Sequence, residues 1–487
     1  MRQISGLLLA ALLISSASAE IHLVRPDGSG DAPTIQAAVD QAAWGDVIEL
    51  ADGVYTGDGN RDVSYQGKPI TVRSQSGHPD ACIIDVEGTS VEEHRAFDFV
   101  WSEGPGSVLE GVTITGGYVE IVDQYPQGLG GGVRVLGPAC SPTIRNVVFL
   151  ENLAYVGGGL GVDQGSPKVT DCVFLRNDAW WGSGGGAFCQ SSDVEFTRCD
   201  FIENHGHQVG GGVDAGPGTT NLTDCRFLRN TLDYGYGAGL SYWYDAHGEV
   251  VGCTFAENHA AEYGAGISVM VQSDATIRTS TFYGNAAAVG GGVYVDDSFD
   301  GSWVVLENTI IAFSTQGGSV VSSAGSPATL SCCTLFGNAG GDWVGQIAGQ
   351  LGQNGNIDLD PLFCDAAGGD FGLLTESPCA PFSEPNPECD LIGAWPVGCA
   401  GQDVPESILP VARLSAAPNP FLHATCLSFS TPGRISVHDA TGRRIRTLSG
   451  DVWDGTDQHG EPVPGGVYLV RLETDTHAIS RRVVLVR

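Results

Sequence analysis

The sequence predicts an all-β fold in which a long parallel β-solenoid precedes a small C-terminal β-sandwich. A Phe-x-x-Asn motif recurs at steps of 25 to 28 residues, a glycine cluster follows each copy, and the last 77 residues differ in charge and pattern. Because one such repeat cannot bury its apolar face alone, successive copies must stack on one another. The copies are Phe149/Asn152, Phe174/Asn177, Phe201/Asn204, Phe227/Asn230, Phe255/Asn258 and Phe282/Asn285.

The first residues have the layout of a secretory signal peptide. Arg2 precedes an apolar stretch from Leu7 to Ile14, and the segment ends in the small residues Ala17 to Ala19. We therefore assign residues 1–19 to a signal peptide and expect an exported protein. No later apolar run reaches the roughly 20 residues that a transmembrane helix needs, so no transmembrane segment is predicted.

A short strand, Ile21 to Val24, and a helix capped by Thr34 are expected next. An open stack exposes the apolar cross-section of its first coil, and an amphipathic helix can cover that surface. The apolar face of the helix is formed by Ile35, Ala38, Val39 and Ala42.

Apolar residues alternate after each glycine cluster, as at Val133 and Val135, and these side chains are expected to point inward. A second strand is predicted over residues 168–174, with Phe174 in the core. Stacked phenylalanines would fill the interior, and truncating one should lower stability by about 3–5 kcal/mol. Each repeated asparagine is expected to adopt left-handed backbone angles at a corner and to bond the next coil through its amide.

The repeat weakens towards its end. Ile310 and Phe313 are interpreted as occupying the Phe and Asn places, and Leu335 and Asn338 restore the motif.

Nine of the 14 cysteines fall into two groups. One group precedes the repeat places by two residues, and because stacked Cβ vectors suit a disulfide poorly, these thiols are expected to be buried and unpaired. This group contains Cys172, Cys199, Cys225, Cys253 and Cys333. In the loop-rich group disulfides and free thiols are both open interpretations. That group contains Cys364, Cys379, Cys389 and Cys399.

The net charge is −34, and residues 411–487 contribute nine Arg against seven Asp or Glu, a balance of +2. The preceding residues therefore carry −36. Such a field repels nucleic acid and anionic lipid surfaces, and neither is predicted as a partner. No cofactor is predicted, but acidic surfaces also suit divalent cations, so calcium stays open.

Residues 45–50 and 53–55, Gly-Asp-Val-Ile-Glu-Leu and Gly-Val-Tyr, resemble the opening turn of right-handed parallel β-helix proteins of the pectate-lyase-like superfamily. The glycine-rich Phe-x-x-Asn repeat also resembles the passenger regions of polymorphic outer-membrane proteins. These resemblances imply a right-handed parallel β-helix over residues 20–400, with an N-terminal capping helix and a linker over 401–410. Segments 360–363 and 391–394 resemble the closing coils of such helices.

Alternating strands and turn signals predict an immunoglobulin-like sandwich over residues 411–487. Four motifs there resemble the sorting domain of type IX secretion cargo and the related domain of flagellar hook-capping proteins. The resemblance implies that outer-membrane secretion machinery recognises this domain and that the protein is secreted, or held on the outer surface, by a Gram-negative-type bacterium. The motifs are Pro418-Asn419-Pro420-Phe421, Asp439-Ala440-Thr441-Gly442-Arg443, Trp453-Asp454-Gly455 and Gly465-Gly466-Val467-Tyr468.

The pectate-lyase-like resemblance implies that catalysis, if present, uses outward positions after the glycine clusters. The candidates are Asp163, Asp214, Asp296 and Arg134. Asp163 and Asp214 lie two coils apart, about 10 Å at the usual strand spacing. That separation fits poorly with the 6.5–9.5 Å of an inverting carboxylate pair. Whether the protein is an enzyme is left open.

A column of aromatic residues lies between the turn asparagines and the glycines. Because aromatic rings stack on sugar rings, the column predicts a ligand-binding track for polysaccharide or cell-surface glycan; mutual packing of the rings is the alternative. Its members are Tyr155, Trp180, Trp181, His207, Tyr234, Tyr236, Trp243 and Tyr263. His205 and His207 have no evident third ligand, so no metal site is predicted.

The function predicted from these features is adhesin-like binding of carbohydrate or another surface polymer without catalysis. A polysaccharide lyase or glycoside hydrolase that acts in the β-helix groove is the alternative.

Overall fold

A computed structural model describes residues 19–120, 126–296 and 301–399, and from the C-terminal part residues 414–417, 425–429, 434–439, 443–448, 450, 452–473 and 478–485. The chain divides into two compact units, Met1–Cys399 and Ala400–Arg487. Residues 1–18 of the predicted signal peptide and the predicted linker 401–410 lie outside the described residues. Within them, no helix combines the length and apolar character that spanning a membrane requires.

The first unit is a parallel β-helix, which confirms the predicted solenoid. Each full coil passes through sheets that we name A, B, D and C, in that order, and equivalent strands of successive coils pair in parallel. Sheet A contains Ile21–Val24, Val47–Leu50, Thr71–Ser74, Val108–Glu110, Thr143–Arg145, Lys168–Thr170, Ser192–Thr197, Gly218–Thr223, Ala246–Val251, Asp274–Arg278, Trp303–Glu307 and Ala328–Ser331.

The other three sheets repeat the same stacking. Sheet B contains Gly53–Tyr55, Cys82–Asp85, Thr113–Thr115, Val148–Leu150, Val173–Leu175, Asp200–Ile202, Arg226–Leu228, Thr254–Ala256, Thr281–Tyr283, Ile310–Ala312 and Thr334–Phe336. Sheet C contains Val63–Ser64, Phe97–Phe99, Val133–Leu136, Leu160–Asp163, Ala187–Gln190, Val213–Ala215, Leu240–Trp243, Ile267–Met270, Val293–Val295 and Val320–Ser322. Sheet D contains Tyr118–Val119, Leu153–Ala154, Asp178–Ala179, His205–Gly206, Thr231–Leu232 and His259–Ala260.

Single left-handed residues make the corners between sheets. In one coil Asp171 has φ 55° between sheets A and B, and Arg176 has φ 53° after sheet B. The predicted strand over 168–174 is therefore wrong as one strand, because Asp171 divides it between two sheets. The expectation of left-handed asparagines is also wrong: the chain turns one residue earlier, at Arg176 and Glu203, and each asparagine then directs its amide along the stack.

Phenylalanines and asparagines form two interior columns, as predicted. The rings of Phe149 and Phe174 stack with centroids 4.5 Å apart, and the later pairs of the motif repeat this contact at 4.6–4.7 Å. The Asn204 side chain accepts hydrogen bonds from the backbone N and Nδ2 of Asn177, both at 3.0 Å. Its own Nδ2 donates to the Phe174 carbonyl at 2.9 Å and to Asn230 Oδ1 at 3.0 Å.

Both ends of the interior are covered. The helix Ile35–Gln41 begins after Thr34, whose hydroxyl accepts from the Ala37 N–H, and it buries its predicted apolar face. At the other end the 3₁₀ helix Gly345–Gln350 places Ile347 against the core.

The late repeats differ from the sequence interpretation by one residue. Ile311, not Ile310, pairs with Phe282, and Ser314, not Phe313, takes the asparagine place and donates its N–H to Asn338 Oδ1. Ile311 in turn pairs with Leu335, as the restored motif requires.

Residues 360–399 do not form closing coils. Phe363–Asp365 and Asp370–Leu373 pair as an antiparallel hairpin around the 3₁₀ turn Ala366–Gly368. The segment then runs back along the outside of sheet B, where the Ala394 N–H donates to Thr281 Oγ1 and Trp395 Nε1 donates to Thr254 Oγ1. Thr281 and Thr254 belong to successive coils, so this segment crosses coils instead of adding one.

The cysteine column is buried and unpaired, as predicted. Among the cysteines whose side chains the structure describes, two disulfides form, Cys332–Cys389 and Cys364–Cys399, whereas Cys379 is free and buried. Cys389 thus pairs with a cysteine outside the predicted group, which ties the returning segment to the last coils.

The described residues of the second unit form two antiparallel sheets. One contains Leu414–Ala417, Thr425–Phe429 and Val452–Trp453; the other contains Arg444–Leu448, Arg434–Asp439, Gly466–Glu473 and Ala478–Leu485. Trp453 and Leu427 from the first sheet share one apolar cluster with Val437 and Val470 from the second. The predicted Pro418–Phe421 motif lies outside the described residues.

Replacing one asparagine tests the column of hydrogen-bonded asparagines in the interior, which we call the asparagine ladder. Asn204→Ala removes the partner of two N–H groups of Asn177 and of the Phe174 carbonyl in the interior, and it removes one of the two hydrogen bonds that Asn230 Oδ1 accepts from Asn204. We therefore expect it to lower the free energy of unfolding by about 2–4 kcal/mol. Chemical denaturation measures the loss. Asn221→Ala removes one exposed hydrogen bond to the Glu249 N–H and serves as the control, with a loss of about 0.5 kcal/mol or less. Equal losses of stability in Asn204→Ala and Asn221→Ala would contradict a stabilising role for the column of hydrogen-bonded asparagines.

Candidate functional site

The outward positions of sheet C form two columns, not one. Asp214 is in register with Phe188 and Ser241, whereas Asp163 is in register with Leu136 and Gln190. The candidate carboxylates Asp163 and Asp214 therefore lie on different columns as well as on different coils.

The polar groove expected on this face is closed. Asp163 and Asp214 are only 6 % and 5 % exposed, and Ser241 and Ser268 are fully buried. The glycine corner before each strand lies directly over it: Gly210 has φ +62°, and a Cβ there would lie 2.5 Å from the Asp214 backbone N. The glycines that make the corner sharp thus also fill the space above the strand.

Asp214 is held as a buried acid. Its carboxyl group accepts a hydrogen bond from Ser183, but Oδ1 has no partner. Burial disfavours the charged form and raises the pKa of Asp214 to about 7. A buried carboxyl group under a glycine arch cannot reach a polymer outside the protein.

The other catalytic candidates have structural partners. Arg134 donates from Nε and Nη2 to the two carboxylate oxygens of Asp98, at 2.6 and 2.7 Å. Asp296 lies beside Tyr294, and burial together with this carboxylate raises the pKa of Tyr294. The structure therefore does not bring Arg134, Asp163, Asp214 and Asp296 together as one site.

Among the described residues, one group of three or more side chains is arranged as potential metal ligands: Glu20, His22 and Asp46, near the first coil. It includes none of the groove carboxylates. The absence of a metal therefore stays a prediction, and calcium stays open.

Four predicted binding residues form a continuous aromatic patch, which we call the tryptophan surface: Trp180, Trp181, His207 and Tyr234. Trp181 lies 5.9 Å from Trp180 and 5.2 Å from His207, and His207 lies 5.1 Å from Tyr234, measured between ring centroids. Trp180, Trp181 and Tyr234 are 44 %, 49 % and 57 % exposed. The patch crosses three successive coils next to sheet D.

The remaining predicted aromatics separate into two groups. Tyr236 stacks on Tyr263 at 4.9 Å and contacts Trp243 at 5.7 Å, and Tyr294 extends this tyrosine cluster. Tyr155 instead packs against a small apolar cluster formed by Leu129, Val156 and Phe188. The aromatic residues therefore do not form the single track that was predicted. In these two groups the rings pack against one another or against apolar side chains, as the alternative interpretation expected.

A chain of histidines and aspartates supports the tryptophan surface. His205 Nδ1 lies 3.0 Å from Asp178 Oδ1 and its Nε2 lies 3.3 Å from Asp233 Oδ1, while Asp233 Oδ2 lies 3.1 Å from His207 Nδ1. Hydrogen bonds and charge from Asp178 and Asp233 raise the pKa of His205. Asp233 thereby fixes the His207 ring between Trp181 and Tyr234.

Sequence reasoning missed Asp178 and Asp233 as members of this site. The signal was the repeat period itself: His205 follows Asp178 by 27 residues, and Asp233 follows His207 by 26. Residues separated by one period occupy the same place on neighbouring coils, as the pairing of Asp178 with His205 shows.

A family model described as "Right handed beta helix region" matches residues 188–351, about a third of the chain. Together with the strand pairing, this match shows the right-handed parallel β-helix. No curated protein sequence matches the chain.

Three solved structures have similar architecture at low identity. Pectate lyase Pel9A is 15 % identical with a TM-score of 0.45, over 78 % of this chain and 97 % of that one. A pectin methylesterase from carrot is 12 % identical with a TM-score of 0.29, over 72 % and 91 %. A mannuronic acid specific polysaccharide family 6 lyase from human gut microbiota is 12 % identical with a TM-score of 0.29, over 66 % and 82 %. Similarities this distant provide no evidence about the function of this chain.

The buried Asp214 predicts a pH dependence of stability. Because the pKa of Asp214 is near 3.8 when unfolded and about 7 when folded, its contribution is fully present below pH 4 and is lost as pH rises through 7. Asp214→Asn removes this loss, and we expect the variant to be more stable than the parent at pH 8 by about 2–4 kcal/mol, with little difference at pH 4.

Denaturation at pH 4, 6 and 8 measures this effect. Glu92→Gln, which removes one carboxylate from an exposed position, controls for the change in net charge. Parallel stability curves for the parent and Asp214→Asn would contradict a neutral Asp214 in the folded protein.

Proposed function

We propose that the protein binds carbohydrate or another surface polymer at the tryptophan surface, without cleaving it. The observation that carries the proposal is the continuous run of contacting rings from Trp180 to Tyr234 across three coils, in which Trp180, Trp181 and Tyr234 are exposed. Large exposed aromatic groups that contact one another are unusual on a surface without a partner. Their apolar faces suit the C–H faces of sugar rings, while the histidine and aspartate groups offer hydrogen bonds to hydroxyls.

Rigidity supports binding of an extended polymer. Successive coils are held about 4.8 Å apart by the strand ladders, so the rings repeat along the helix axis at a fixed spacing. Asp233 and Asp178 orient the histidines before any ligand arrives. A surface ordered in advance loses little conformational entropy on binding.

Charge favours a neutral polymer as the ligand. Asp178 and Asp233 lie within the site, and the protein carries a net charge of −34. An anionic polysaccharide would be repelled unless a divalent cation such as calcium bridged it to the surface. We therefore assign the surface to neutral polysaccharide or glycan.

The same geometry makes catalysis the second candidate function, after binding. Asp214 is buried and Arg134 is paired with Asp98, so neither is presented to a substrate. A lyase or hydrolase in the β-helix groove remains the alternative function.

We further propose export to the cell surface or the medium of a Gram-negative-type bacterium, with residues 1–19 as signal peptide and 411–487 as the domain that secretion machinery recognises. The disulfides Cys332–Cys389 and Cys364–Cys399 support an oxidising compartment outside the cytoplasm. Binding at the tryptophan surface would then give an adhesin-like role.

Binding to a panel of polysaccharides, with and without calcium, tests the function. We expect Trp181→Ala to weaken binding of a neutral polysaccharide about tenfold or more, because a stacked aromatic side chain contributes on the order of 1–3 kcal/mol at a binding surface. Affinity electrophoresis or calorimetry measures the change. Trp44→Ala, at a tryptophan that is 78 % exposed, is the matched control and should bind as the parent does.

The panel also distinguishes the alternative. Release of oligosaccharide products that is lost in Asp163→Ala or Asp214→Ala would establish an enzyme and overturn the proposal. Equal binding by the parent and a Trp181→Ala/Tyr234→Ala variant would place the ligand elsewhere.

A further inference from the structure

The first strand, Ile21–Val24, begins one residue after Glu20, which would become the amino terminus of an exported chain. Glu20 directly follows Ala17-Ser18-Ala19, where the sequence predicts signal-peptide cleavage. The Glu20 carbonyl accepts from the Val47 N–H at 2.9 Å, so pairing with the second strand starts at this residue. The Glu20 backbone nitrogen lies 2.9 Å from Asp46 Oδ1.

The fold holds Asp46 as a hydrogen-bonded carboxylate that can accept from a cationic group. It is 6 % exposed, and its Oδ2 accepts from the Ala43 N–H at 2.7 Å and lies 3.1 Å from His22 Nε2. These hydrogen bonds, led by the one from the Glu20 nitrogen, lower the pKa of Asp46. Asp46 is therefore ionised at neutral pH, within reach of the nitrogen that cleavage would change.

We propose that cleavage after Ala19 creates an ion pair between the α-ammonium of Glu20 and the carboxylate of Asp46, which fastens the first strand. A peptidase would hydrolyse the Ala19–Glu20 peptide bond with one water molecule. Ala19 leaves as a carboxylate, and the Glu20 nitrogen, previously a neutral amide donor, becomes an ammonium group. A charge-assisted hydrogen bond then replaces a neutral one at a nearly buried carboxylate.

The location gives this ion pair a structural role. Ile21–Val24 is the edge strand of sheet A, and its one strand neighbour is Val47–Leu50. The capping helix Ile35–Gln41 follows it and covers the first coil. A chain that still carries the signal peptide lacks the α-ammonium, so its N-terminal end is held less firmly while the protein is exported.

A bound metal ion is the alternative explanation for stabilisation of this end, because other potential ligands lie at the site. His22 faces Asp46 from the first strand, and the Glu20 carboxylate completes the group that has the spacing of metal ligands. Lys68 lies nearby but donates from Nζ to the carbonyl groups of Val39, Asp40 and Ala42. A metal ion on Glu20, His22 and Asp46 would also stabilise this end, so the experiment is run with and without a chelator.

The test compares two forms of the otherwise complete chain. One begins at Glu20, released from a fusion by a protease that leaves no extra residue, and the other begins at Ala19. We expect the form that begins at Glu20 to unfold about 1–3 °C higher, and residues 21–24 to exchange amide hydrogens more slowly. Asp46→Asn should abolish both differences. Asp31→Asn removes the negative charge of the carboxylate that accepts from the Leu23 N–H of the first strand, and it should affect both forms equally.

Two results would overturn the proposal. One is equal unfolding temperature and exchange in the two forms, or a difference that a chelator removes. The other is an exported protein whose amino-terminal sequence does not begin at Glu20. Neither measurement depends on polysaccharide binding, so failure here is distinct from failure of the proposed function.

Discussion

The asparagine ladder is the interaction on which the arrangement of the coils depends. Within the series, the amide oxygen of Asn204 accepts two hydrogen bonds from the preceding asparagine, and its amide nitrogen donates to a backbone carbonyl and to the following asparagine. Asn177, Asn230 and Asn258 repeat this pattern. These groups are fully buried, and a buried amide without a partner is strongly unfavourable. A slip of register between coils would break several such bonds at once, so the ladder fixes the register that also stacks the phenylalanines.

Register then decides where surface chemistry can lie. The left-handed residue before each asparagine turns the chain into sheet D, and the glycines that follow turn it into sheet C. Because these glycine corners lie against the outward face of sheet C, they bury Asp214 and its neighbours. The longer connections between sheet D and the glycines remain outside, and they carry Trp181 and Tyr234. The candidate site is therefore a consequence of the packing that closes the groove.

Ion pairs between successive coils engage some of the acidic residues that give the protein its negative charge. Arg198 pairs with Asp171, and Arg226 pairs with Asp200, each across one repeat period. The histidine and aspartate chain at the tryptophan surface follows the same rule, and so orients rings that a ligand can contact. Since the surrounding charge stays negative, the site is suited to ligands that hydrogen-bond and stack more than to anions.

The sequence by itself determined the repeat, its period and its interior. In a periodic stack each side chain contacts the equivalent side chain of the next coil, so its neighbour can be read from the repeat alone. Phe149, Asn204 and the buried cysteines could be placed this way, as could the capping helix. The late coils were misplaced by one residue at Ile311 and Ser314, where substitution obscured the motif.

Only the tertiary structure decided what lies outside the stack. The returning segment contacts Thr254 and Thr281 through Trp395 and Ala394, which follow them by more than a hundred residues, and no period relates these positions. Whether Asp214 faced solvent depended on how tightly Gly210 approached the strand. The proximity of Glu20 to Asp46 likewise arises from the pairing of the first two strands. Periodicity reports contacts between equivalent residues, whereas exposure and contacts between unlike segments require the three-dimensional path of the chain.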